Sequence, residues 1–178
     1  MLQLKLSKSR FFNETTEEFI NFEPVTIKLE HSLISIQKWE AKWHKSFLSS
    51  EHTAEEMLDY FRCMSLDPNI DPNFTLRLTQ KEINQIQEYM QNPMTATTFG
   101  NQRPQVGPNR IVTAEIIYYW MTGLNIPFDC AKWHINQLMT LIKVCSIKSN
   151  PQKMSKKEAG AQRAALNKAR RAQLGSSG

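Results

Sequence analysis

Apolar residues in the first thirty positions recur at every second place. Leu2, Leu4 and Leu6 alternate with polar residues, and Val25, Ile27 and Leu29 do the same after Pro24. A period of two puts alternate side chains on one face of an extended chain, so both runs predict strands. Phe19-Ile-Asn-Phe22 lies between them, after an acidic, Asn- and Thr-containing stretch suited to a turn. Residues 1–30 therefore predict a small antiparallel sheet of two or three strands.

From Ser32 the period lengthens. Leu33, Ile36, Trp39 and Trp43 are spaced by threes and fours, which predicts a helix with an aromatic face that breaks near Ser46–Ser50. Thr53-Ala-Glu-Glu56 is a capping box, in which hydroxyl and carboxylate each satisfy a free backbone N–H; Met57, Tyr60, Phe61 and Met64 follow at helical spacing. Asp67-Pro-Asn-Ile-Asp-Pro-Asn-Phe74 repeats Asp-Pro-Asn and reads as a turn-rich connector, because a proline pushes the residue before it out of helical geometry. A calcium loop would need the glycine and terminal Glu that this stretch lacks. A second capping box, Thr79-Gln-Lys-Glu82, opens a third helix carrying Ile83, Ile86 and Met90.

Residues 92–110 concentrate Pro, Gly, Thr and Asn without a period and predict a long loop. Gly100 and Gly107 are not followed by the Gly-Lys-Ser/Thr of a phosphate-binding loop. Ile111–Met121 is apolar almost all round, as a helix central to a core or buried in an interface would be. Gly123 is placed to end it. A further helix runs from about Phe128 to Lys148, with Ala131, Ile135, Leu138, Met139, Leu141, Ile142 and Cys145 inside. The two make an αα-hairpin expected at the heart of the fold.

Charge divides the chain at Asn150-Pro151. Residues 151–178 hold seven of the 22 Lys and Arg and one of the 17 acids, which leaves fifteen bases against sixteen acids in residues 1–150. A nearly neutral body carries a basic arm, and the net charge of +5 belongs to that arm. Ser155-Lys-Lys-Glu158 is a third capping box, but Met154, Leu166 and Leu174 are the arm's only large apolar residues. The arm is helix-competent and weakly held. It suits a helix-in-groove contact with a protein or salt-sensitive contact with phosphates. The fold class is therefore mainly α with a small N-terminal antiparallel β element (α+β), a body over 1–150 and a tail over 151–178.

Candidate chemistry is sparse. Cys63, Cys130 and Cys145 are odd in number and unpaired in spacing, which argues against a disulfide framework or zinc ribbon. Cys130 and His134 could share a helix face, but no second half-site accompanies them, and His31, His44 and His52 are scattered. The carboxylates fall in turns and helix first turns, where the macrodipole favours them. Trp39-Glu-Ala-Lys-Trp43 and Lys132-Trp-His134 mix rings with lysine, as stacking surfaces and ordinary amphipathic helices both do. No catalytic, cofactor or metal residue is assigned. The N-terminus does not read as a signal peptide, and no apolar run is long enough to span a membrane, so a soluble, cytosolic protein is expected.

Leu29-Glu-His-Ser-Leu33, Trp39-Glu-Ala-Lys-Trp43, Pro93-Met-Thr-Ala-Thr-Thr-Phe99, Ile116-Ile-Tyr-Tyr-Trp-Met121, Asn125-Ile-Pro-Phe128, Lys132-Trp-His134 and Lys153-Met-Ser-Lys156 together resemble the tail assembly chaperones of long-tailed bacteriophages. The resemblance runs over nearly the whole chain. It implies a non-enzymatic protein of the host cytoplasm that binds the tape-measure and tail-tube proteins during assembly and then leaves. It also implies, as many such genes do, a longer frameshifted product that would extend from the tail. Candidate partner-binding residues are Tyr118, Tyr119, Trp120 and Trp133, with Lys153, Lys156, Lys157, Arg163, Leu166, Lys168, Arg170 and Arg171 of the arm. Two other readings stay open. One is a tail or connector subunit of the virion whose arm reaches a neighbouring copy, a form of self-association; the other is a nucleic-acid-binding protein using the arm.

Overall fold

The structure, a computed structural model, describes residues 1–13, 17–99, 111–149 and 156–174. Two antiparallel pairs open the chain. β1 (Leu2–Leu6) pairs with β4 (Val25–Leu29), and β2 (Ser9–Asn13) pairs with β3 (Glu18–Phe22). Leu6 faces Val25 and Ser9 faces Phe22, so one register runs through both pairs. The four strands are the two arms of a single ribbon, interrupted where Ser7 and Lys8 lie opposite Glu23 and Pro24. Proline has no N–H to give the ladder, which accounts for the break.

Arg77 fills the gap. Its Nη1 donates to the Glu23 carbonyl at 3.0 Å and its Nη2 to the Ser7 carbonyl, while the guanidinium lies 5.0 Å from the Phe22 ring centre. Lys8 and Glu23 add an exposed ion pair across the break at 3.1 Å. Alternation places Leu4, Leu6, Ile27 and Leu29 in the core, as the period of two requires.

Helix α1 (Leu33–Trp43) starts at Ser32, whose hydroxyl accepts from the Ser35 N–H at 3.2 Å, and ends at His44 in left-handed geometry (φ 53°). Helix α2 (Ala54–Cys63) begins at the expected capping box: Glu56 accepts from the Thr53 N–H at 2.8 Å, and the Thr53 hydroxyl from the Glu56 N–H at 3.3 Å. Both Asp-Pro-Asn units are Asx turns, with Asp67 accepting from Asn69 at 2.9 Å and Asp71 from Asn73 at 2.8 Å. The second leads into a 3-10 helix, Pro72–Arg77. Helix α3 (Gln80–Gln91) starts where Glu82 accepts from the Thr79 N–H at 2.9 Å.

The apolar segment after residue 110 forms α4 (Ala114–Gly123), burying Ala114, Ile117 and Met121. The helix expected over residues 128–148 is divided into a 3-10 helix, Phe128–Lys132, and α5 (Ile135–Ser149). A tertiary contact overrides the local pattern there. The Ile135 N–H donates to the His31 carbonyl at 2.7 Å, and the Asn136 N–H to His134 Nδ1 at 3.3 Å, so the helix restarts after His134. Cys130 and His134 consequently share no helix face.

The expected αα-hairpin of the last two apolar helices is not the main contact: α4 leans on α1, which also packs against α2 and the Phe128–Lys132 turn, and α5 packs against that turn. Trp39 and Ile36 of α1 are fully buried, and the Trp39 indole donates to the Glu56 carbonyl at 2.9 Å. Lys42 of α1 with Asp59 (2.6 Å), and Lys45 just beyond that helix with Glu56 (2.6 Å), add ion pairs to α2. Glu40 is the deepest tie. Buried in α1, it accepts from the Ala114 N–H at the start of α4 (2.7 Å) and from the Phe47 N–H (2.8 Å). A carboxylate at a helix N-terminus satisfies free donors and opposes the positive end of the dipole.

Helix α6 (Lys156–Leu174) is the basic arm. Its expected capping residue Ser155 lies outside the described residues, as do Lys153 and residues 100–110 of the long loop. Among the described residues no helix is long and apolar enough to cross a membrane.

Candidate interaction surfaces and the buried polar junction

The aromatic run of α4 is divided by helix geometry. Ile117 and Met121 point into the core, and the neighbouring Tyr118 and Trp120 are half-buried against it. Tyr118 donates to Gln37 Oε1 at 3.2 Å, its ring meets Phe128 edge-on at 5.8 Å, and burial pushes its phenol pKa up. Tyr118 and Trp120 therefore serve packing more than display. Tyr119, one residue on, is 75% exposed, and Trp133 is 41% exposed. Phe128, 61% exposed beside Tyr118, joins this surface although its Asn-Ile-Pro-Phe context reads only as a helix start.

On α6, Arg163, Lys168, Arg170 and Arg171 are exposed, while Ala165, Leu166 and Ala169 are half-buried. Lys156 and Lys157 fall in its first turn. Arg163, Leu166, Asn167 and Arg170 line a recess of about 270 Å³ with Thr98 from the start of the long loop. Nearby in sequence, Phe99 carries the Lys143 ammonium 4.0 Å from its ring centre. Among the described residues no carboxylate lines the recess. The two candidate groups of residues, on α4 and on α6, are separate surfaces and not one site.

A third surface has only a faint sequence signal. Phe11, Phe12 and Phe19 of the β2–β3 end of the ribbon are exposed, Phe12 and Phe19 in ring contact at 4.9 Å, with the Arg10 guanidinium 3.7 Å from the Phe19 ring centre. Both strand faces carry aromatics there, a departure from one-face alternation that the Phe-rich sequence does contain.

Beneath these surfaces lies a polar junction. His31 Nδ1 is 2.5 Å from the Tyr60 hydroxyl, and the rings of His31 and His134 meet edge-on at 5.2 Å. His134 Nδ1 faces the Asn136 N–H, so its proton sits on Nε2 and is donated to the Tyr89 carbonyl at 3.0 Å. Tyr89 donates to Glu30 at 2.6 Å, and Glu30 also pairs with the Met1 ammonium at 2.8 Å. Burial, then the charge of His134, lowers the His31 pKa to about 3. Burial also lowers His134. Burial pushes Tyr60 well above the ordinary phenol value, and burial with the Glu30 carboxylate pushes Tyr89 up as well. These hydrogen bonds and the His31–His134 ring contact tie the end of β4 to α2, α3 and the start of α5.

Comparison with protein-family models, curated proteins and solved structures finds no match to this chain. The molecule's own geometry must therefore carry the argument. Among the described residues no group of three or more His, Cys, Asp or Glu is placed to hold a metal ion. Cys130 is buried, Cys63 and Cys145 are half-buried, and all three are free thiols. The pKa of Cys63 is raised, chiefly by burial, the opposite of what a nucleophilic thiol needs.

Proposed function

We propose that this protein is a non-enzymatic tail assembly chaperone of a long-tailed bacteriophage, which binds the tape-measure and tail-tube proteins in the host cytoplasm. The observation that carries the reading is the exposed cationic face of α6, with Arg163, Lys168, Arg170 and Arg171 outward and, among the described residues, Leu166, Ala165 and Ala169 half-buried. Such a helix offers charge-assisted contacts and little apolar area, the balance of a transient grip and not of an obligate interface. The resemblance of the residue phrases quoted above supports the same class. Tyr119, Phe128 and Trp133 supply separate apolar contacts for a partner that is itself incompletely folded.

The polar junction supports a structural role for His31 and His134, because His31 Nδ1 and both ring nitrogens of His134 face other protein groups. Co-expression tests the proposal. Tape-measure protein should stay soluble with this chain and precipitate without it, and reversing Arg163, Lys168, Arg170 and Arg171 to Glu should lower the soluble fraction. Equal solubility in all three cases overturns it.

A further inference from the structure

We propose that the protein also associates with itself head to tail: the acidic, aromatic end of the β2–β3 ribbon of one copy seats in the basic recess beside α6 of the next. The inference stands apart from the chaperone reading and concerns the purified chain alone. At the ribbon end, Phe12 and Phe19 are 43% and 52% exposed and touch one another. Glu17 and Glu18 precede Phe19 at the same end of the ribbon, Glu18 on the opposite strand face, and both are exposed and in no ion pair among the described residues. Glu17 adopts a left-handed backbone (φ 54°), which turns the chain at the ribbon end. The two cations nearest this end are already engaged, since Lys8 pairs with Glu23 at 3.1 Å and Arg10 stacks on one face of Phe19.

The recess is the complement of this end. Arg163 and Arg170 stand seven residues apart on one helix, about 10 Å along its axis. Leu166 and Asn167 lie between them, Thr98 also lines the recess, and among the described residues no carboxylate belongs to the lining. Two carboxylates at the ribbon end thus meet two guanidinium groups, with Leu166 between them to receive an aromatic ring. Arg–carboxylate pairs add orientation as well as attraction, which fixes how the ribbon end would enter.

The two surfaces belong to different parts of the chain, so the contact is heterologous. Each pair of copies keeps one free ribbon end and one free recess. Association therefore continues into a ring or filament and does not stop at a two-fold dimer.

Sedimentation velocity of the full chain at rising concentration tests this. The expected result is a concentration-dependent increase beyond dimer that is lost at about 1 M salt, where the screening length falls to about 3 Å. Glu17→Lys with Glu18→Lys, and separately Arg163→Glu with Arg170→Glu, should each give a monomer whose far-ultraviolet circular dichroism is unchanged. Mixing the two variants should restore association, because the recess left intact in one meets the ribbon end left intact in the other. A wild-type chain that stays monomeric overturns the proposal, as does either variant associating like wild type or a mixture that remains monomeric. Binding of a single-stranded oligonucleotide at the recess by a chain that never self-associates also overturns it.

Discussion

His31→Asn removes one titrating group from the centre of the polar junction while leaving an acceptor near the Tyr60 hydroxyl. In the folded chain the His31 pKa lies at about 3, lowered first by burial and then by His134; unfolded, the imidazole returns to about 6.5. Between those values the unfolded state binds one more proton than the folded state. Stability is therefore full above pH about 7 and falls as pH drops, with a limiting slope of about 1.4 kcal/mol per unit. From pH about 7 to pH about 5 the His31 contribution alone falls by about 2 kcal/mol. His134, also lowered by burial, acts in the same direction.

Carboxylates do not confound this window. Glu56 is held below its usual range by the Lys45 and Thr53 hydrogen bonds. Asp59 is raised by burial, but bonds from Lys42 and Trp43 outweigh that and leave it lowered. Their contributions are lost only below pH about 4.5, as pH falls towards their folded pKa values. Urea unfolding followed by tryptophan fluorescence at the two pH values measures the difference. The variant should lose about 2 kcal/mol less than wild type on acidification. Equal losses in both proteins would refute the assignment of His31 as a neutral, buried imidazole.

Three further perturbations follow from the packing. Glu40→Gln leaves the Ala114 or Phe47 N–H without its carboxylate acceptor and should cost about 1–3 kcal/mol, read as a lower urea midpoint at unchanged slope. No change would mean that water replaces those bonds. Arg77→Met should cost about 1 kcal/mol overall, because water reaches the freed Ser7 and Glu23 carbonyls, but should speed amide exchange in β2 and β3 while α1 stays protected. Uniform exchange across the chain would contradict its role as a plug in the ribbon. Tyr119→Ser should move stability by less than about 0.5 kcal/mol, given the exposure of that ring, and a larger loss in a thermal melt would show that Tyr119 packs.

Features set by neighbouring residues were legible in the sequence. The Thr53–Glu56 box starts α2 where it should, and Leu4, Leu6, Ile27 and Leu29 face inward as their spacing demands. Features set by distant residues were not. Glu40 and Ala114 are 74 positions apart, and His31 and His134 more than 100, so no local pattern announces either contact. The break before α5 has the same origin, since only the His31 carbonyl explains why the Ile135 N–H leaves the helix ladder. The continuous register of the ribbon was hidden by Pro24, which reads as a boundary between strands and acts as an interruption within one arm. Of the candidate surface, Tyr119, Trp133 and the arginines of α6 are outward, whereas Tyr118 and Trp120 are half-buried because they flank the buried Ile117–Met121 stripe of α4.

The chaperone reading meets its most direct test in mass spectrometry of infected cells and finished particles. An affinity-tagged copy of this chain should co-purify with the tape-measure protein from infected lysate and be missing from purified particles. Its presence in the particles at a fixed copy number, with no tape-measure protein in the lysate complex, would contradict that account and identify a virion subunit.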